Sequence, residues 1–394
     1  MTTSQQPNKN KQALLIVGII FIALNLRAAL ASVGPLIEDI RLTTGLSNFS
    51  LGLLTTLPLL AFAVVSVFAP LFTKRFGIGG TLLGAMGILT TGILIRSLDW
   101  VPFLFIGTVL LGIAIALGNV LMPSLTKRNF AAHAGLVTGL YTSFMGIGAA
   151  LAAGLSVPLT HYLNLDWRSS LGVWSILSLV ALLIWTPQLI HLKKSVRKQS
   201  FFTAIKNTVH SIKAWQLALF MGFQSMTFYI ILAWLPTVLI DRGATAEYAG
   251  WMLSLSQFTG IFGSLLIPYL AGKYRDQRLM IVLLILTELV AILGLMFPYD
   301  SLIWLWVAVI GFVLGGTFGL VLLLIVLRST DTESATELSG MVQSIGYLIA
   351  AIGPALFGSL FDATGDWTMP LMLLIMAALI KLIVGLGAGK PGTV

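Results

Sequence analysis

The sequence contains no cysteine among its 394 residues, and only 9% of the residues are charged. The absence of cysteine excludes disulfides, thiol nucleophiles and cysteine-ligated metal sites. Soluble globular chains carry about a quarter charged residues, so this composition excludes an ordinary soluble domain. Histidine is also scarce, and the four histidines all lie near predicted loops: His133, His161, His191 and His210. We therefore expect no enzyme activity, no metal and no cofactor.

Hydrophobic residues make up 57% of the chain, and the mean hydropathy is +0.98. A helix that spans a bilayer needs about 20 apolar residues. Runs of about this length recur twelve times, at 12–36, 49–72, 79–97, 101–126, 135–159, 169–190, 214–239, 248–271, 279–297, 302–327, 338–361 and 370–388. The runs are continuously apolar, whereas strands of a membrane barrel alternate apolar and polar residues. The sequence therefore predicts an all-α membrane protein with twelve transmembrane helices.

The net charge of +9 is distributed unevenly between the predicted loops. Of the 23 basic residues, Arg27 lies inside the first run, and 18, including Lys381, fall on the side of the N-terminus. The other four fall on the opposite side: Arg41, Arg96, Arg168 and Arg242. The positive-inside rule then places both termini in the cytoplasm of a bacterium, with the chain in its inner or plasma membrane. The first run is too long for a cleaved signal peptide, and nucleic acid is not an expected partner.

The two halves of the chain resemble each other when the sequence is shifted by 198 to 201 residues. The shift aligns Pro35 with Pro236, Arg41 with Arg242, Arg128 with Arg328, Gly146 with Gly346, and Asp166-Trp167 with Asp366-Trp367. Such a repeat is typical of transporters built from duplicated helical units. We predict six-helix bundles at 1–187 and 214–394, joined by a basic cytoplasmic linker at 188–213.

Arg27 lies near the middle of the first apolar run. A charged side chain at the centre of a bilayer costs about 2.5 to 3.5 kcal/mol on insertion scales, so it occurs mainly where it faces a polar cavity. Small residues follow on the same helix face, Ala31 at i+4 and Gly34 at i+7, and leave room for a ligand. The guanidinium can bind a carboxylate, a nitro group or a small inorganic anion through paired donors. The alternative is an ion pair or a carbonyl-capping role between helices.

Several short strings resemble the cyanate and 2-nitroimidazole transporter (CynX/NimT-like) family within the major facilitator superfamily. They are Asn25-Leu26-Arg27 with Ala31-Ser32-Val33-Gly34-Pro35, Gly118-Asn119-Val120-Leu121-Met122-Pro123, Gly139-Leu140-Tyr141-Thr142 and Asp166-Trp167-Arg168. The superfamily's signature between helices 2 and 3 is reduced to Lys74, Arg75 and Gly77, without an acidic residue. The resemblance implies two pseudo-symmetric six-helix bundles, with helices 1, 4, 7 and 10 around a central cavity. It also implies a small solute that is often planar or anionic.

On that implied arrangement, further polar side chains reach the cavity. Together with Arg27, the candidate solute-binding residues are Asn119, Tyr141, Gln224, Tyr229, Gln257, Gln343 and Tyr347. The alternative for each is a hydrogen bond between helices, because buried amides and phenols need partners.

Glu288 is an acidic residue deep in the ninth apolar run. A carboxylate within a membrane is a candidate proton relay, because burial favours its neutral form. The ninth helix is peripheral in the superfamily, which favours a structural hydrogen bond instead. Both interpretations stay open at this point.

The sequence therefore predicts a secondary active transporter, coupled or not to protons, for a small anionic or planar nitroaromatic solute. The alternative is a multidrug efflux transporter for lipophilic compounds, which normally uses an acidic residue in its cavity. The expected partners are a small-molecule solute and the lipid bilayer, and the expected oligomeric state is a monomer.

Overall fold

The computed structural model describes residues 9–162, 166–191, 206, 208–297 and 300–394. Within these residues the chain forms twelve long helices and no strand: α1 Lys9–Ala31, α2 Asn48–Ser66, α3 Ala69–Arg96, α4 Val101–Phe130, α5 Ala134–Tyr162, α6 Trp167–Trp185, α7 Ile212–Asp241, α8 Ala246–Ala271, α9 Arg278–Met296, α10 Ile303–Arg328, α11 Thr332–Thr364 and α12 Thr368–Gly389. Two short helices, Ile37–Thr44 and Gln188–His191, lie between them. Most of the predicted linker 188–213 lies outside the described residues.

Length and composition identify these helices as membrane spans. Ten segments of the described chain are long and apolar enough to cross a membrane. One of them, Val101–Thr160, contains both α4 and α5, and Ser50–Ser66 in α2 is a shorter apolar helix. The predicted class, an all-α membrane protein with twelve spanning helices, is confirmed.

Two boundaries differ from the apolar runs because of local backbone chemistry. The run 49–72 is interrupted after Ser66, and Pro70 occupies the first turn of α3, where proline needs no N–H partner. The backbone of α3 breaks again at Gly77, whose φ of +73° is the left-handed region that favours glycine. The Asp331 side chain accepts a hydrogen bond from the Ser334 N–H, so α11 begins before its apolar run does.

The helices pack in the same way in the two halves, α1–α6 and α7–α12. In the first half α1 packs against α5 and α6, α2 against α4, and α3 against α6. In the second half α7 packs against α11 and α12, α8 against α10, and α9 against α12. Between the halves α2 packs against α11 and α5 against α8. This pseudo-symmetry confirms the predicted arrangement of two related six-helix bundles.

The halves meet at the end of the bundle where α1 begins and α12 ends, which we call the termini end. There Thr142 Oγ1 of α5 donates to the Ser264 carbonyl of α8 at 2.9 Å, and the Ser143 and Ser264 hydroxyls are 3.1 Å apart. At the other crossing a Cβ added at Gly340 of α11 would lie 2.6 Å from the Ser66 carbonyl oxygen of α2. The helices of the two halves approach so closely at these crossings that the termini end is closed. A side chain larger than hydrogen at Gly340 would separate α11 from α2.

Toward the opposite end, glycines of the same helices have open space where a Cβ would point: Gly52 of α2, Gly154 of α5 and Gly250 of α8. These glycines make no contact with the described residues of the other half, so the closure described above belongs to the termini end.

The Ser143 and Ser264 contact predicts that a disulfide can hold the termini end shut. We expect the double variant Ser143→Cys/Ser264→Cys to cross-link under mild oxidation, because its two hydroxyls are 3.1 Å apart and belong to different halves. The wild-type chain has no cysteine that could compete. Uptake into proteoliposomes should stop on oxidation and return on reduction. The two single-cysteine variants are the controls, and uptake that continues in a fully cross-linked protein would contradict this closure.

Within the second half α8 and α10 touch along their backbones. A Cβ added at Gly263 would collide with the Phe312 carbonyl oxygen, and one added at Gly311 would collide with the Ser256 carbonyl oxygen. Further along, a Cβ at Gly319 would lie 3.0 Å from the Ser264 carbonyl oxygen. We call this contact the α8–α10 glycine seam. Such close backbone packing requires small residues and makes the two helices one rigid unit.

Candidate functional site

Arg27 is half-buried, lies one turn before the end of α1 and faces the second half. Its guanidinium carbon lies over two phenyl rings, 4.9 Å from the centroid of Phe228 on α7 and 4.7 Å from that of Phe318 on α10. Such cation–π contacts each stabilise by about 0.5 to 2 kcal/mol, more when water is excluded. Among the residues that the structure describes, no carboxylate pairs with Arg27 and no carbonyl accepts from it. The positive charge is therefore left without an anionic partner.

Polar side chains from three other helices are connected to this charge. Tyr229 of α7 follows Phe228, whose ring the Arg27 guanidinium covers, and the charge of Arg27 also acts on Tyr347 of α11. Asn119 Nδ2 of α4 donates to the Tyr347 hydroxyl at 3.4 Å, and Gln343 Nε2 of α11 donates to the Asn119 carbonyl at 3.0 Å. The structure therefore brings five of the sequence-predicted residues together across the interface between the halves.

One buried polar atom near this group lacks a hydrogen-bond partner among the described residues: Oε1 of Gln343, which is fully buried. Tyr141 of α5 is also buried, with only 1% of its surface exposed, and its hydroxyl interacts with Thr138 and Tyr347. An unsatisfied buried polar atom costs about 1 to 3 kcal/mol. A solute that supplied a matching donor or acceptor would recover this free energy.

Aromatic rings pack beside Arg27 and these polar residues. Phe62 of α2 packs against Tyr347 at a centroid distance of 4.9 Å, and Phe228 meets Tyr229 edge to face at 5.3 Å. We call the set the aromatic enclosure: Phe62, Tyr141, Phe228, Tyr229, Phe318 and Tyr347. Sequence reasoning missed its three phenylalanines, because phenylalanine in an apolar run also faces lipid or packs in the core. The spacing of four residues between Gln224 and Phe228 was a usable signal, since it places both on one side of α7.

Two predicted glutamines make hydrogen bonds within the second half. Gln224 Nε2 donates to the Leu314 carbonyl of α10 at 3.1 Å, and its Oε1 accepts from the Ser225 hydroxyl at 3.1 Å. Gln257 of α8 is half-buried and donates to the Ser256 hydroxyl at 3.3 Å. The amide of Gln224 is thus already used between helices, whereas Gln257 retains an exposed portion.

Glu288 of α9 forms an ion pair with Lys381 of α12, and both side chains are fully buried. Lys381 Nζ also lies 3.3 Å from the Thr227 hydroxyl of α7. The sequence analysis counted Lys381 among the cytoplasmic-side residues, and this was wrong. The lysine lies inside the span because the carboxylate of Glu288 compensates its charge. Thr227 precedes Phe228, so this ion pair and Arg27 contact different faces of α7.

Arg96 of α3 holds the end of the helix that carries Arg27. It is 1% exposed and donates to the Ala29 carbonyl at 2.7 Å and to the Ser32 hydroxyl at 3.1 Å. A cation at the carboxyl end of a helix also interacts favourably with the helix dipole. Arg96 therefore fixes the last turn of α1 immediately beyond Arg27.

Comparison with known proteins identifies related sequences along nearly the whole chain. The family model described as Major Facilitator Superfamily matches residues 15–354. An uncharacterized transporter of Bacillus subtilis, YycB, is 44% identical over 97% of this chain and 95% of its own length. The 2-nitroimidazole transporter of Escherichia coli is 39% identical over 99% of both chains. The cyanate transport protein CynX of Escherichia coli is 30% identical over 90% of this chain and 92% of its own.

Solved structures give the same architecture. The proton:xylose symporter XylE superimposes with a TM-score of 0.77, covering 95% of each chain, at 14% sequence identity. At that identity the likeness concerns the fold alone. The sequence comparisons and the fold thus agree with the resemblance drawn from the short strings around Arg27.

Proposed function

This chain belongs to the Major Facilitator Superfamily, in its CynX/NimT-like branch, and we propose that it carries a small anionic or planar nitroaromatic solute by alternating access. The chain is a multi-pass membrane transporter for a small molecule, and its relatives are not enzymes. Two of those relatives are named for 2-nitroimidazole and for cyanate. Both solutes present electron-rich acceptor atoms, which is the chemistry that a guanidinium recognises.

The observation that carries this proposal is that Arg27 pairs with no carboxylate of the residues that the structure describes. A cation in a low-dielectric site without a counter-ion attracts an anion or a strong acceptor group. Arg27 belongs to the first half, whereas Phe228 and Phe318 belong to the second. A solute bound to Arg27 therefore sits where the two halves meet, the position from which binding can alter their relative orientation.

The ion pair of Glu288 supports a structural role more than a proton relay. Glu288, Lys381 and Thr227 all belong to the second half. A rigid-body movement of one half against the other leaves these three groups in contact. Proton coupling through Glu288 would require a rearrangement inside the half.

Multidrug efflux of lipophilic cations is the second candidate. A cationic compound would approach Arg27 with a charge of the same sign, which is unfavourable at short distance. No acidic side chain of the described chain lies against Arg27 to offset this repulsion. The site therefore favours negatively charged or electron-rich solutes.

Uptake into proteoliposomes distinguishes these candidates. We expect purified wild-type protein to transport cyanate, benzoate or 2-nitroimidazole in preference to a cationic dye, with liposomes lacking protein as the control. Transport of the dye with none of the three acceptor solutes would contradict the proposed function and support efflux. We also propose that both termini face the cytoplasm of a bacterium and that the chain acts as a monomer.

A further inference from the structure

We propose that Phe228 and Phe318 make the transporter selective for planar conjugated solutes over small linear anions. The inference rests on the proposed function, because it assumes that the solute binds Arg27. It names two specificity-determining residues and narrows the solute to a flat π-system that carries an anionic or nitro group.

Phe228 and Phe318 lie directly beside the guanidinium of Arg27. The centroids of Phe228 and Phe318 lie 4.9 and 4.7 Å from the guanidinium carbon of Arg27. A solute whose acceptor group approaches Arg27 must therefore lie beside these two rings. The rings come from α7 and α10, so they flank the guanidinium from two directions of the second half.

Phenylalanine rings favour contact with a planar aromatic solute. Aromatic pairs favour offset-stacked or edge-to-face arrangements with centroids about 4.5 to 7 Å apart, and gain beyond their buried area. A planar heteroaromatic solute can make such a contact with either phenylalanine while its nitro or carboxylate group binds Arg27. Cyanate, with three atoms in a line, offers the charge but no ring to stack.

The rest of the aromatic enclosure supports the same solute shape. Phe228 is itself held edge to face by Tyr229, and Tyr347 is packed against Phe62. These neighbours restrict the movement of the Phe228 and Tyr347 side chains toward a small anion. The Gln343 Oε1 atom, which has no donor among the described residues, is an additional polar group for the edge of a heteroaromatic ring. A linear anion would leave the Gln343 oxygen without a donor.

The test compares the ratio of kcat/KM for 2-nitroimidazole to kcat/KM for cyanate in proteoliposomes. We expect wild type to favour 2-nitroimidazole, and Phe228→Leu or Phe318→Leu to lower this ratio about threefold to tenfold. Leucine keeps an apolar side chain but removes the ring. Phe318→Tyr, which retains the ring, should keep more of the preference than Phe318→Leu. The tyrosine variant also serves where a leucine variant does not fold.

Phe220→Leu is the matched control. Phe220 lies on α7, two turns before Phe228, and packs toward Gly385 of α12. Its replacement should leave the ratio unchanged. The inference is wrong if Phe228→Leu and Phe318→Leu also leave the ratio unchanged, or if wild type favours cyanate. Either result leaves the proposed function intact, whereas the proposed function itself fails if wild type transports a cationic dye and none of cyanate, benzoate and 2-nitroimidazole.

Discussion

Arg27→Ala is expected to lower uptake of anionic and nitroaromatic solutes by about 100-fold. Hydrogen bonds to a charged group contribute about 1.5 to 3 kcal/mol each, and every 1.4 kcal/mol corresponds to a factor of ten. Arg27 can offer more than one such bond, and no other cation of the described chain contacts Phe228 and Phe318. Initial rates of uptake into proteoliposomes, normalised to reconstituted protein, measure the effect.

Arg27→Lys tests whether the charge alone suffices. Lysine keeps the positive charge and can lie over an aromatic face, but it lacks the planar fork that binds two oxygens together. We expect partial recovery for cyanate and less for a carboxylate or nitro compound. Lys273→Ala is the control, because Lys273 lies beyond the end of α8 and its ammonium group lies over the ring of Tyr269, away from Arg27. Wild-type rates in both Arg27 variants would remove Arg27 from the site and contradict the proposed function.

Lys381→Met is expected to destabilise the protein by about 3 to 5 kcal/mol, the cost of breaking a buried ion pair by removing one partner. The variant leaves the fully buried Glu288 carboxylate without its ammonium partner. Thermal unfolding in detergent measures the loss. Replacing both partners, as in Glu288→Leu/Lys381→Met, should recover most of the stability, because apolar residues can fill the same space without buried charge.

Lys390→Met is the control for removal of a lysine, since Lys390 is exposed beyond the end of α12. Equal destabilisation in the single and double variants would show that packing, and not the ion pair, determines the effect. A single variant as stable as wild type would show that the pair contributes little.

The same double variant decides the question of proton coupling. If uptake by the folded Glu288→Leu/Lys381→Met protein still responds to an imposed pH gradient as wild type does, Glu288 is not the coupling group. Loss of the response with retained uptake would instead assign proton coupling to this pair. The contacts of Glu288, which all lie within the second half, favour the first outcome.

The architecture was predictable because each of its signals is local. Twelve apolar runs require twelve helices, since backbone polar groups in a bilayer must be satisfied within a helix. The recurrence of Asp166-Trp167 as Asp366-Trp367, 200 residues later in the same chain, indicates the duplication. In the structure both tryptophans donate through their indole nitrogens, Trp167 to Thr43 and Trp367 to Asp241, each at 2.7 Å.

The site was only partly predictable because its remaining contacts are long-range. The charge of Arg27 was visible in the sequence, but its neighbours Phe228 and Phe318 are about 200 and 290 residues away. Apolar rings carry no mark that separates a cavity wall from a lipid-facing surface. Lys381 was misplaced for a related reason: the ion pair that keeps it inside the span joins residues 93 positions apart.

The α8–α10 glycine seam has a mechanical consequence. Phe318, which touches Arg27, precedes Gly319, and Gly319 is pressed against the carbonyl of Ser264. Ser264 in turn is the α8 residue that meets Thr142 and Ser143 at the termini end. The backbones of α10 and α8 thus connect the ring of Phe318 to Ser264 with few flexible side chains between them. A solute that displaces Phe318 would therefore act, through these two helices, on the contact that closes the termini end.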